Sequence, residues 1–501
     1  MTAYQTLETR FRDYGTLGDI SAMMYWDRAT MMPDGAAPGR NDQAALITRL
    51  RRQILLSSET ADLLDQAEQE TDGLTVFQLA NLHQMRREFL NESILPDDLV
   101  EKSERDASVG ELAWRENRAN NDFAAQQPHL ETVLENVRQV ASIRAEAFGT
   151  SPYDALIDLY EPGLTQAEID PVFDRLASEL PGLASRIIDA QAAAGYPGDI
   201  PGPFSVKAQK RIGEEFMSAL GFSFDRGRLD ESVHPFTGGI PDDVRLTTRY
   251  TDGRFDEAMM GILHETGHAL YEQNLPAAWR GQPVGQSGGM ALHESQSLLV
   301  EMQLCRGQAF VEWSGPKLRA ALGGNADDPL WSVDAQHRRL LKVSRGLIRV
   351  DADEVTYPLH VILRYRLEKA LVSGDLAVGD LPGAWNDGMA ELVGVQPETD
   401  TDGCLQDIHW MAGAIGYFPT YSLGALAAAQ FYQAALVQIP ALDDQVRQGQ
   451  FRSLQVWLAE NIHSRGRSES TQQILTQVTG AALGADAFMA HLKQRYLGDV
   501  N

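Results

Sequence analysis

The sequence predicts a mainly α-helical protein organised as one domain over residues 1–501, and three observations carry that expectation. Stretches such as "DPVFDRLASELPGLASRIIDAQAAA" and "TYPLHVILRYRLEKALVSGD" place apolar residues at three- and four-residue intervals with charges between them, the period of a helix that buries one side. Breaks such as "GYPGDIPGPFS" and "LGGNADDP" end helices, but no low-complexity linker, fixed-period repeat or charge block separates independent units. With 501 residues, 43% of them hydrophobic and 23% charged, the chain is long enough to bury a large core and an interior cleft.

Charge narrows the partners. The 43 Lys and Arg against 70 Asp and Glu leave a formal charge of −27, whose field repels phosphate backbones and anionic lipid, so neither nucleic acid nor a membrane surface is expected as a partner. Cys305 and Cys404 are too few for a disulfide framework and sit in no metal-ligand spacing, which fits a reducing compartment. The N-terminal stretch has no apolar segment of signal-peptide length, and nothing later approaches the roughly 20 apolar residues of a membrane span. A cytoplasmic location is expected.

Along the chain, "YWDRATMMPDGAAPGR" places Trp26, Asp27 and Met31 in a helix-ending segment whose default reading is packing. "DVRLTTRYTDG" is the exception to the helical pattern: Val244, Leu246, Thr248 and Tyr250 alternate with polar neighbours, which predicts a short strand. Placed beside the next helix, it is expected to be an edge strand able to hold an extended peptide by main-chain hydrogen bonds.

That next helix is "DEAMMGILHETGHALYEQNLP", with Ala258, Met259, Ile262, Leu263, Ala269 and Leu270 as its apolar stripe, acids in its first turn and Pro276 past its end. His264 and His268 lie one turn apart on one side, where two imidazoles can meet one ion, and Glu265 sits about 100° round the cylinder, within reach of a metal-activated water. Solvated helix residues are the bland alternative. A HExxH pattern should arise by chance only about 0.02 times in a chain this poor in histidine, which favours the metal.

A catalytic zinc site needs a third protein ligand and an open position for water. The longer three-histidine motif would require Gly and His where Tyr271 and Asn274 stand, and is excluded. The next amphipathic stretch, "GGMALHESQSLLVEMQL", offers His293, Glu294 and Glu301. Glu294, early in that helix and near the Gly288-Gly289 turn, is the choice, with Glu301 two turns on as the alternative.

These motifs resemble the carboxypeptidase Taq family of zinc metallocarboxypeptidases. "HPF" at His234 to Phe236, "DVRLT" at Asp243 to Thr247, "HETGH" at His264 to His268, "HES" at His293 to Ser295, "IRVDAD" at Ile348 to Asp353 and "GCLQDIHW" at Gly403 to Trp410 follow one another in that family's order. The resemblance covers essentially the whole chain. It implies His264, His268 and Glu294 as zinc ligands, settling against Glu301, and Glu265 as general base. It also implies a fold similar to neurolysin and angiotensin-converting enzyme, with a deep groove between two helical halves, a small sheet beside the metal, and a homodimer.

The activity so implied is release of single C-terminal residues from peptides with a free C-terminus, with broad specificity and poor release around proline. Cobalt can occupy the same N/O donor set in place of zinc. Glu265 would take the proton of the attacking water and return it to the leaving amine. His409 and either Tyr421 or Tyr417 are the resemblance's candidates for stabilising the carbonyl oxyanion, against ordinary roles as a packed histidine and a loop anchor. Arg349 is the candidate for the substrate carboxylate, against a structural ion pair with neighbouring aspartates; Arg245 is the reserve, and His234 a substrate contact. The "YWDRATMMP" segment would belong to a lid half.

One departure has a physical consequence. In many two-His, one-Glu peptidases an Asp four residues after the ligand Glu orients an imidazole, and here that position is Leu298. Asp353 or Asp407 is expected to take over, because a ligating His donates its other N–H to an acceptor; pairing with nearby Arg is their alternative.

Overall fold

The computed structural model describes residues 1–498, which are mainly helical with one three-stranded sheet among them. No described helix is long and apolar enough to cross a membrane. Cys305 and Cys404 are both buried and unpaired. Two compact units are distinguished, the first comprising Met1–Glu92, Pro197–Leu340 and Ala427–Ala482, the second Ser93–Tyr196, Leu341–Leu426 and the chain from Leu483 onward.

The first unit begins with the helix Ala3–Thr30. The Thr2 hydroxyl accepts the Gln5 N–H at 3.2 Å and the Gln5 side chain accepts the Thr2 N–H at 3.0 Å, which satisfies two donors that a helix start otherwise leaves unpaired. Tyr4, Leu7 and Phe11 on its apolar side pack with Leu55, Leu64, Leu82 and Met85. Near the other end Trp26 is buried under two guanidinium groups, Arg245 at 4.4 Å and Arg228 at 5.4 Å from its ring centre. Asp27 pairs with Arg40 at 2.7 Å, while Met31 caps the helix and is exposed.

The sheet corrects one expectation. The alternating segment forms β3 (Asp243–Thr248), but it is the central strand, flanked by β1 (Gly227–Glu231) and β2 (Thr237–Ile240). β1 runs parallel to it, with Gly227 opposite Val244, and β2 antiparallel, with Thr237 opposite Leu246. Strands on both sides explain why Thr247 and Thr248 are as buried as Leu246. The edges belong to β1 and β2, whose four or five residues with glycines carry no alternation to read.

The metal-motif helix spans Asp256–Gln273, with Asp256 and Glu257 in its first turn and the expected apolar stripe buried. The second motif helix, Met290–Leu298, continues without a break into a π-helical segment, Leu299–Cys305. This wider coil, with hydrogen bonds one residue longer than in an α-helix, is frequent at functional sites.

In the second unit, the helix Gln166–Ala194 starts at a capping box between Thr165 and Glu168 and buries Ile169, Phe173, Leu176, Leu180, Leu183 and Ile187 along one side, as its periodicity predicts. The helix Tyr357–Ser373 differs from the simple one-sided pattern. Arg364 and Glu368 are fully buried alongside His360, Leu359, Ile362 and Leu363, so two charged groups point into the interior and must be paired there.

Candidate metal centre

One turn of helix brings the His264 and His268 rings to 5.0 Å between centres, with planes at 85°. The second motif helix reaches them because Gly267 lies between the two histidines. A Cβ there would stand 2.4 Å from the Gln296 carbonyl oxygen and 2.6 Å from Ser297 Cα, both backbone atoms that cannot move aside cheaply. Glycine therefore sets how near the two helices come.

At that approach, Glu294 Oε2 lies 3.4 Å from His268 Nε2 and 3.9 Å from His264 Nε2. One donor atom from each of the three residues falls within 4.8 Å of the others, the single such cluster found among the described residues. Tetrahedral coordination at zinc bond lengths separates neighbouring ligands by about 3.4 Å, so the two measured separations lie within about half an ångström of those a divalent ion requires. The Ser297 hydroxyl lies 2.6 Å from the Glu294 carbonyl oxygen and 3.2 Å from its Oε2, against the carboxylate.

The outer partners differ from the expected ones. His264 Nδ1 meets Glu301 Oε2 at 3.0 Å, and Glu301 Oε1 accepts from Arg306 at 2.8 Å. Glu301 is thus placed behind the imidazole rather than beside the ion. His268 Nδ1 lies 3.1 Å from the His293 carbonyl oxygen and 2.7 Å from His293 Nδ1. Asp353 and Asp407 serve neither ring. Asp353 accepts the backbone N–H groups of Ser344, Val355 and Thr356, and Asp407 is held between two arginines. Long-range pairings of this kind leave no trace in helical period.

With Nδ1 engaged on both histidines, Nε2 is the nitrogen left for an ion. Burial pulls the His264 imidazole down, but the hydrogen bond to Glu301 and the charges of Glu294, Glu265 and Glu301 outweigh it and lift it to about 10. Burial and the neighbouring His293 and His264 rings move His268 the opposite way. Burial would raise Glu294, yet the two imidazoles and Ser297 hold it at about 2. The same negative potential that keeps a proton on His264 favours a cation. Glu265 is 6% exposed, and its Oε2 accepts the Thr237 hydroxyl of β2 at 2.6 Å. Nothing in "TGGI" pointed to that contact.

The other expected residues fall into two sets. In the first unit, His234 is exposed in the β1–β2 connection, and Arg245 is bound through Nε and Nη2 to Asp243 at 3.0 and 2.5 Å. In the second unit, Arg349 is 4% exposed and donates to Asp407 from Nε at 3.1 Å and from Nη2 at 2.8 Å, with Nη1 on the Tyr357 hydroxyl at 2.9 Å. Arg364 binds the other oxygen of Asp407 at 2.6 Å through Nε, so two cations share one carboxylate. His409 Nδ1 is 3.8 Å from Asp407, its Nε2 is 3.4 Å from the Tyr421 hydroxyl, and the Tyr417 ring stacks on it at 5.7 Å. Burial, with Arg349 and Arg364 opposing Asp407, lowers His409 to about 4 and leaves it neutral.

A helical body with a small sheet beside two imidazoles and a carboxylate on crossing helices is the construction of a metallopeptidase. The family model described as carboxypeptidase Taq (M32) metallopeptidase matches residues 6–496, and the chain belongs to that family. It is 36% identical to thermostable carboxypeptidase 1 of Thermus thermophilus over 99% of this chain and 98% of that one. It is 34% identical to carboxypeptidase 1 of Bacillus subtilis over 95% and 94%. Among solved structures, Trypanosoma cruzi metallocarboxypeptidase 1 superposes with a TM-score of 0.96 at 37% identity, covering 99% of each chain. The M32 carboxypeptidase of Deinococcus radiodurans R1 gives 0.92 at 34%, covering 99% and 98%. The protein is a metallocarboxypeptidase.

Proposed function

We propose that this metallocarboxypeptidase uses zinc, held by His264, His268 and Glu294, to release single amino acids from the free C-termini of peptides with broad side-chain preference, with Glu265 as general base. The observation that carries the reading is the convergence of one donor atom each from His264, His268 and Glu294 within 4.8 Å, the two histidines on the helix that also bears Glu265 and Glu294 on the next. When bound, a divalent ion supplies Lewis acidity to the scissile carbonyl and acidifies a water; cobalt suits the same donors.

The rest falls to the chain's own groups. Glu265 takes the water proton and delivers it to the leaving amine, and the Thr237 hydroxyl pins one carboxylate oxygen so that the carboxylate keeps its direction. His409 as a neutral donor, with Tyr421 within hydrogen-bond distance of it, provides for the oxyanion, and Tyr417 buttresses the imidazole. Arg349 receives the substrate carboxylate. Charge supports it over Arg245: the Arg349, Arg364 and Asp407 trio keeps one net positive charge, whereas Arg245 with Asp243 is neutral. His234, exposed beside β2, serves as a further substrate contact. The working form is a homodimer, as the family resemblance implies, and its place is the cytoplasm, on the ground of the two unpaired cysteines.

Metal analysis and product analysis on one variant test this. Glu265→Gln should retain one equivalent of zinc and lose turnover by about 10²–10⁴-fold, and unimpaired turnover would remove Glu265 from the base role. Wild-type enzyme should yield single amino acids from a free peptide and none from its C-terminal amide. Dipeptides or internal fragments would instead identify an oligopeptidase.

A further inference from the structure

We propose that His293 and Glu272 form a positioning relay that locks the His268 imidazole in the tautomer and orientation needed to bind the metal. It rests on the assignment of His268 as a ligand and adds two residues that touch neither ion nor substrate.

Ligation through Nε2 demands a proton on Nδ1, and two acceptors surround that proton: the His293 carbonyl oxygen at 3.1 Å and His293 Nδ1 at 2.7 Å. For His293 Nδ1 to accept, its own proton must sit on Nε2, and Nε2 lies 2.8 Å from Glu272 Oε1. Every donor then faces an acceptor, from Glu272 through two imidazoles to the metal-facing nitrogen. The rings lie 4.5 Å apart at 34°.

The arrangement is also economical in sequence. His293 is the residue before Glu294, so one peptide delivers a ligand carboxylate, a main-chain acceptor and a side-chain acceptor to the same centre. Glu272 stands one turn beyond His268 on the metal-motif helix. His264 is served by a carboxylate directly and His268 by one at a remove, so the two imidazoles are oriented by independent devices.

The plain alternative is that His293 and Glu272 only tie the two helices together. A zinc competition titration with a chromophoric chelator, together with the melting temperature of metal-stripped protein, separates the two. Glu272→Leu and His293→Leu should each weaken zinc binding by about 10–100-fold. In a relay the effects overlap, so adding Glu272→Leu to His293→Leu should cost less than about threefold more. If either variant will not fold, the isosteric Glu272→Gln decides, with an expected loss of roughly threefold because a neutral acceptor is the weaker one. Zinc affinity within twofold of wild type beside a lower apo melting temperature, or effects that multiply in full, overturns the relay. Wild-type protein that binds no zinc overturns the ligand assignment beneath it.

Discussion

Glu301 Oε2 stands 3.0 Å from His264 Nδ1, on the side of the ring away from Glu294, and its second oxygen is occupied by Arg306 at 2.8 Å. The second motif helix thus contributes two carboxylates with different duties. Glu294→Gln should abolish stoichiometric zinc, since a ligand is lost. Glu301→Gln should keep the ion but weaken it by about 10–100-fold, measured by chelator competition. Equal affinity for the Glu301 variant and wild type would show that Arg306, not His264, accounts for its position.

Gly267 makes a second test, of geometry rather than charge. Gly267→Ala adds one methyl against the Gln296 carbonyl and Ser297 Cα, and the helices must part by several tenths of an ångström or more. Alanine is the better helix former by about 1 kcal/mol, so a gain in stability is the naive expectation. The clash reverses it: melting temperature and zinc occupancy should fall together, and a stabilised variant with full zinc would refute the close approach.

Arg349→Met tests carboxylate recognition. KM for free peptides should rise and the preference over amidated peptides flatten, while Arg364 keeps Asp407 paired at 2.6 Å and limits the damage to folding. Arg349→Lys should recover little, because a single ammonium cannot reproduce contacts made by three guanidinium nitrogens. Unchanged discrimination in Arg349→Met would move recognition to another cation.

Acid should destabilise the protein before the carboxylates titrate. Burial depresses His360 and His463 to about 3 and His409 to about 4, from an ordinary 6.5, so each is neutral when folded and takes up a proton when unfolded. Such groups contribute stability that is present above pH 6.5 and lost as pH falls toward 4. At pH 5 each should cost about 2 kcal/mol relative to pH 8. Urea unfolding at the two pH values measures the loss, and His360→Met should shrink it. A flat profile over this range would contradict neutral burial.

Much of the centre was readable in one dimension because its parts are local. His264, Glu265 and His268 share one helix, where spacing dictates direction, and Glu294 follows on the next. What escaped reading depends on contacts between distant segments. Thr237 reaches Glu265 only after β2 pairs with β3, and β2 has too few residues for a period. On α-helical spacing alone Glu301 rivals Glu294 as a ligand, because seven residues return to the same face; the π segment breaks that periodicity between them. Asp407 belongs to Arg364, which no sequence pattern announces, because none marks a fully buried arginine.

The loosely wound stretch from Leu299 to Cys305 makes chain length itself a variable of the centre. Removing one residue there would let the coil rewind into regular helix at little cost to the scaffold, with the chain beyond Cys305 kept in place while Glu301 swings off His264. A relative shorter by one position in this stretch would keep the architecture and have to find another acceptor for its first imidazole.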